Sequence, residues 1–244
     1  MLEPAYLQRI AEGAEEIAAD LHSYILRKIV ERMMIRIGRG DEYLFTSADR
    51  WQIEIMQDSG ALMEEIIPEI AKRTKLQQKE IKEAMEEAGI KAVEADDKIY
   101  EAAGLSPLPL MGSPELIRLM QRNYEATIGE WSNYTRTTAD AAQKLFVNSC
   151  DTAYHKVTSG AVSYTQAVRE AVDEVVSSGV YVNYTNAETG KIHRDTIETA
   201  TARAVRTGVG QATGAISLER MKEMEWDIIL VSAHLGARTG DGGE

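Results

Sequence analysis

Residues 5 to 37, AYLQRIAEGAEEIAADLHSYILRKIVERMMIRI, decide the fold class of this chain. Apolar side chains fall at Ile10, Ile17, Leu21, Tyr24, Ile25, Ile29, Met33 and Ile37, the three-and-four spacing of a helix that buries one face. Pro4 stands where a first helical turn tolerates proline, and Gly38 and Gly40 follow the last apolar position. The spacing therefore predicts a single helix from about Ala5 to about Ile37. At 1.5 Å per residue it spans on the order of 50 Å, which suits a bundle or an extended contact surface.

Helical texture continues outward from this stretch. Thr46 and Ser47 offer caps for a short helix through Trp51, Ile55 and Met56, which Asp58-Ser59-Gly60 ends. Leu62 to Arg73 reads as another helix that Pro68 kinks or restarts, and Thr74 with Gln77 reads as a capping box before a helix to about Ala88. Gly89 and Gly104 bracket one more, with Val93, Ile99 and Tyr100. The division expected is a helical region over 1–104, a Pro- and Gly-rich linker over 105–113, and a second region over 114–244.

In that second region Ser113 caps and Pro114 starts a long helix with a stripe of Ile117, Met120, Tyr124, Ile128 and Trp131, expected to run to about Asn148. Ser163 with Gln166 forms a further capping box, and Gly179 closes that helix. Val180 to Tyr184 alternates and is rich in strand formers; Asn186 to Gly190 is a turn, and Lys191 to His193 the returning strand. Asp195 is the expected cap of a helix from Thr196 toward Met224, and Ile228 to Val231 reads as a buried strand. The fold class expected is mainly α with a small α+β C-terminal domain, its short sheet near 180–193 and 227–233.

Bulk properties narrow the function classes. A chain of 244 residues can bury a substantial core. Its longest apolar run, Ile228 to Val231, is far below the roughly 18 residues that cross a bilayer. Met1-Leu2-Glu3-Pro4 lacks the features of a signal peptide, so synthesis in the cytoplasm is expected. A lone cysteine, Cys150, and four scattered histidines offer neither a disulfide nor metal-ligand spacing, so no metal and no cofactor is expected. The formal net charge of −12 opposes binding to polyphosphate. One basic cluster, Arg27, Lys28, Arg32, Arg36 and Arg39, could contact DNA, but positive charge also complements the end of a helix dipole, and that reading is preferred.

Catalytic constellations are wanting. Gly208-Val-Gly210-Gln-Ala-Thr-Gly214 lies within a helical pattern without the strand that precedes a nucleotide-binding loop, so its small residues are read as a close helix contact. Adjacent acids at Glu15-Glu16, Glu64-Glu65, Glu86-Glu87 and Asp96-Asp97 point apart on a helix and are read as solvated faces. Cys150 is read as a small buried hydrophobe. In Val231-Ser-Ala-His234-Leu-Gly-Ala-Arg238 a strand delivers a histidine and an arginine into a glycine-rich loop. With no partner acid or nucleophile, a fold-holding role is preferred to a catalytic one.

Several ordered blocks together carry a resemblance. They are Trp131-Ser-Asn-Tyr134-Thr-Arg136, Asp151-Thr-Ala-Tyr154, Ser159-Gly160, Ser163-Tyr164-Thr-Gln166-Ala167, Arg206-Thr-Gly208-Val-Gly210-Gln211, Glu219-Arg220, and the block from Val231 to Arg238. Over roughly residues 115 to 240 the chain resembles the phage minor capsid protein 2 family and, more widely, the Mu-type head-morphogenesis proteins. The resemblance implies a structural virion protein, not an enzyme, which is present in multiple copies. It would be recruited to the portal, with the major capsid protein as a further partner, lie inside the head, and influence DNA packaging or ejection, with packaged DNA at most a weak contact. It also implies that a second histidine and a Trp-Gln-Gly segment follow the His234 block; the sequence stops at Glu244, so a continuation is expected. The alternative is that such a continuation carries an enzymatic or toxin domain.

Overall fold

The computed structural model describes residues 4–37, 48–131, 134–185 and 189–227. Among them are seven helices and one hairpin, mainly α with a small α+β part toward the C-terminus: α1 (Pro4–Arg9), α2 (Glu12–Ile37), α3 (Ala48–Ala102), α4 (Pro114–Trp131), α5 (Tyr134–Thr158), α6 (Tyr164–Ser178), β1 (Tyr181–Thr185), β2 (Ile192–Thr196) and α7 (Ile197–Glu223). A 3-10 turn, Leu110–Gly112, precedes α4.

The spine is α3, a helix of 55 residues that extends on the order of 80 Å. Its length corrects the four shorter helices expected over this stretch. The supposed breaks are core positions. Trp51, Ile55, Ser59, Leu62, Ile66, Ile70, Thr74, Gln77, Ile81, Met85, Ala88 and Ala92 are all buried and recur in threes and fours, so one face stays in the core along most of the helix. Ser59 accepts from Gln143 of α5 at 2.9 Å, and Thr74 donates to the Ile70 carbonyl one turn earlier at 2.8 Å, so neither needs to cap anything. Pro68 lies on the exposed face of an unbroken helix, where water can reach the carbonyl its missing N–H leaves free. Gly89 is a contact residue: a Cβ there would come within 2.8 Å of Met120 and 3.2 Å of Ile216, where α4 and α7 cross α3.

The first helix is interrupted at residues 10 and 11, giving α1 and α2 in place of one rod. The buried face of α2 is Ala14, Ala18, Leu21, Ile25, Ile29 and Met33, so alanines carry its N-terminal half. The long helix expected after Pro114 is described as α4 and α5, and α5 reaches Thr158, ten residues past the expected end at Asn148. Ser113 caps α4 by accepting from the Leu116 N–H at 3.4 Å. Ser163 caps α6 by accepting from the Gln166 N–H, but the Gln166 side chain turns to Glu170 instead of reaching back, so only half of the box forms. Gly179 ends α6 at φ +70°, a conformation that costs glycine little.

β1 and β2 pair antiparallel, Tyr181 opposite Thr196 and Thr185 opposite Ile192. The returning strand runs three residues further than expected and takes in Asp195; Thr196 caps α7 in its place, accepting from the Thr199 N–H. The strand expected at 228–231 lies outside the described residues.

Contacts set the helix directions. Lys28 pairs with Glu65 and Gln77 bonds Ala14, so α2 runs antiparallel to α3. Gln143 on Ser59 and Thr135 on Thr74 make α5 antiparallel too, whereas Thr201 beside Gln77 and Arg220 beside Asp97 make α7 parallel. The largest apolar cluster joins Leu21, Ile25 and Ile29 of α2, Leu62, Ile66 and Ile70 of α3, Phe146 and Cys150 of α5, and Val175 of α6. Residues from both sides of 105–113 share this core. A second cluster, around Ile81, Met85, Val205 and Val209, and a small third, Val93, Leu116 and Ile216, continue it along α3.

Candidate functional site

The motif residues named from the sequence fall at separate helix junctions, and several of them bring polar groups together. At one end of α3, Trp51 stacks on Tyr154 with ring centroids 4.4 Å apart, and its indole N–H donates to Asp151 at 2.9 Å. Asp151 and Tyr154 lie three apart on α5 and therefore share a face, so both hold the same tryptophan.

Midway along α3 is a buried polar junction. The Tyr134 hydroxyl and Thr201 Oγ1 lie 3.4 Å apart, and the Gln77 amide donates to the Ala14 carbonyl at 3.3 Å and to Thr201 at 3.5 Å. Four helices, α2, α3, α5 and α7, thus meet at three side chains. Burial pushes the Tyr134 phenol up from its ordinary value, so it stays protonated. Near the hairpin, His22 of α2 accepts the Val180 N–H at Nε2, 2.8 Å away. Its other nitrogen, Nδ1, then carries the hydrogen and donates to Glu198 of α7 at 3.0 Å. This neutral imidazole joins α2, the start of the hairpin and α7.

The far end is organised by Arg220. Its side chain is fully buried, and its guanidinium donates to both carboxylate oxygens of Asp97, at 2.7 and 2.8 Å, and to Glu223 at 2.9 Å. It also donates to the Leu108 carbonyl, and Ser113 donates to Glu223, so this one cation ties 105–113 to α7 and α3. The Asp97 hydrogen bond above all raises the already high pKa of Arg220. Asp97, read from the sequence as part of a solvated pair, is the main counter-ion of a buried charge.

Other motif residues do not converge on these junctions. Trp131 is the last residue of α4. Arg136 is exposed, 4.0 Å from Asp140. Gly160 takes φ +69° in the turn after α5. Gly208 approaches Thr127 of α4 so closely that a Cβ would meet its Oγ1 at 2.8 Å, while Gly210 has open space beside it and Gln211 is exposed. The glycine cluster is thus a close contact at Gly208 and Ala212, not at Gly210 or Gly214. His234 and Arg238 lie outside the described residues.

Of the basic cluster at the end of α2, Arg27, Lys28 and Arg32 are paired with carboxylates, while Arg39 lies outside the described residues. Arg27 and Lys28 lie 3.8 and 2.9 Å from Glu31, and Lys28 and Arg32 both pair with Glu65. Sequence reasoning missed Trp51, Gln77, His22, Glu198, Thr201 and Glu223. The available signal was register, because Ser59, Thr74 and Gln77 occupy core positions of an otherwise apolar stripe.

Chemically, the polar groups at these junctions are fasteners between helices. Among the described residues there is no group of three or more His, Cys, Asp or Glu placed to hold a metal ion, and no helix is long and apolar enough to cross a membrane. Among the described residues, a groove of about 680 Å³ with an apolar floor lies between the C-terminal half of α2 and Val176 of α6.

Compared with known proteins, residues 2–240 match the family model described as phage minor capsid protein 2. No curated protein and no solved structure matches the chain significantly.

Proposed function

The chain belongs to the phage minor capsid protein 2 family, and from that membership we propose that it is a structural, non-enzymatic component of a tailed-phage head that sits inside the capsid at the portal. The observation that carries this reading is the family match over residues 2–240. Two physical features support it. Gln77, Thr201 and Arg220, all buried, join helices, which suits a scaffold. A net charge of −12 keeps such a protein from being captured by packaged DNA while it works beside it. Its roles are in head morphogenesis and in DNA packaging or ejection.

Docking to the portal is assigned to the helical region 1–104, with 114–244 toward the head interior. On α3 the side chains of Ile53, Met56 and Ile67 are exposed and follow one stripe, with Gly60 between them open to solvent. An apolar helix stripe of this kind is what a partner's groove or helix recognises. Removing residues 1–104 would not test this, because α3 supplies core to α5 and α7. The test is co-expression of the full chain with its cognate portal and capture of the portal. Capture is expected, and the double substitution Ile53→Glu with Met56→Glu should abolish it while leaving the far-ultraviolet circular dichroism unchanged. A portal that never co-purifies or co-sediments with the intact chain would overturn the assignment.

A further inference from the structure

The groove on α2 has the features of a contact between two copies of this chain. Leu26, Val30 and Met34 line it along α2; Leu26 and Val30 pack against the edge of the core and stay partly open, and Met34 is exposed. Met34 and its neighbour Ile35 are more than half exposed, as is Val176 across the groove. Val176 stands just before Gly179, which lies against the His22 ring, so it closes the Ser23 and Leu26 end of the groove. Met34 and Ile35 form the other end. One end therefore has a wall and the other has projecting apolar side chains.

The charges on the same stripe select an orientation. Arg27 and Glu31 both line the groove, equally spaced about Ile29; within one copy they lie 3.8 Å apart, a loose and exposed pair that a second copy can exchange for pairing across the contact. A parallel second helix would lay Arg27 on Arg27 and Glu31 on Glu31. An antiparallel one, related by a two-fold axis that crosses α2 near Ile29, sets each Arg27 beside the other copy's Glu31. The same operation carries Met34 and Ile35 of one copy to the Ser23 and Leu26 end of the other, against its Val176 wall. Self-complementarity of this kind is what an isologous contact requires.

We propose that this face binds a second copy of the chain, with the two α2 helices antiparallel and Arg27 paired with Glu31 across the axis. The inference goes beyond the capsid assignment and does not depend on it, because it concerns the purified chain alone. The test is sedimentation equilibrium of the full chain. A dimer is expected. Arg27→Glu and Glu31→Arg should each weaken it by at least about tenfold, since each places like charges across the axis. The double reversal should restore it, and Met34→Asp should also leave a monomer, with circular dichroism reporting that the helices are intact. A monomer at the highest soluble concentration would overturn the proposal. So would a dimer indifferent to the single reversals, or one that the double reversal fails to restore.

Discussion

The two ends of α3 are held by different physics. Toward Trp51 the helix lies in an apolar cluster shared with α2, α5 and α6, in which Phe146, Leu21, Ile25 and Leu62 are fully buried. Toward Tyr100 the apolar contribution shrinks to Val93, Leu116 and Ile216, and a buried guanidinium with two carboxylates takes over. Apolar packing is non-directional and tolerates repacking, whereas the Arg220 network fixes one geometry and leaves unpaired charge behind if a member is lost. The same spine is thus stabilised by area at one end and by specific pairing at the other.

Matched truncations expose the difference. Phe146→Ala should cost about 3–5 kcal/mol through lost burial and the cavity left behind. Arg220→Ala should cost a similar ~3–5 kcal/mol for another reason, because Asp97, Glu223 and the Leu108 carbonyl lose their shared donor. Urea unfolding measures both, and the companion substitution separates them. Arg220→Met combined with Asp97→Leu should recover most of the loss, since the guanidinium and its main counter-ion then leave together and Glu223 keeps Ser113 as a donor. If Arg220→Ala costs under about 1 kcal/mol, the far end is not organised by this pair.

How much of this was legible in the sequence follows the same division. Apolar periodicity marked α2 and the stripe of α4, because a helix that buries one face must repeat its apolar residues at that spacing, and the capping serine Ser163 marked the start of α6. It failed inside α3, where Ser59, Thr74, Gln77 and Gly89 were read as punctuation. Serine, threonine and glycine favour caps and turns in isolation and glutamine can complete a capping box, but each of these residues instead meets a partner from another element within the helix. The ring stacking of Trp51 on Tyr154 and the bidentate pairing of Arg220 with Asp97 span separations of about 100 residues or more. No local pattern encodes which distant partner such a residue will meet. Motif blocks could mark Asp151, Tyr154 and Arg220 as positions of note, but not that they hold Trp51 and Asp97.

Glycines along α7 sharpen the contrast at a smaller scale. Gly208 lies against the short branched side chain of Thr127, which has little room to give, so Gly208→Ala should destabilise by about 1–3 kcal/mol. Gly210 and Gly214 face open space within the same helix. Alanine at either should stabilise by about 0.5–1 kcal/mol through helix propensity alone. Opposite signs of the shift in thermal midpoint for Gly208→Ala and Gly210→Ala are the expected result. Equal signs would mean that α4 does not approach α7 at Gly208.

The smallest effect expected belongs to the surface near the apolar end, where Lys156 of α5 pairs with Glu170 of α6 at 2.7 Å. The Lys156 ammonium, hydrogen-bonded to Glu170, holds that carboxyl below its ordinary range, with Gln166 as the next contributor. The same bond holds the ammonium above its ordinary value. A lowered carboxyl contributes stability that is fully present above its unfolded-state value and is lost as pH falls through the folded one; a raised ammonium contributes stability that is lost as pH rises through its folded value. The pair therefore acts between those two limits and fades outside them. Because both side chains are about a third exposed, solvent and salt screen the attraction heavily. Glu170→Gln should lower the urea midpoint slightly at neutral pH and low salt, and the gap to the unmodified chain should close as pH drops below the carboxylate range or as salt is raised. A gap that persisted in acid would assign the effect to packing between α5 and α6 and not to the charge pair.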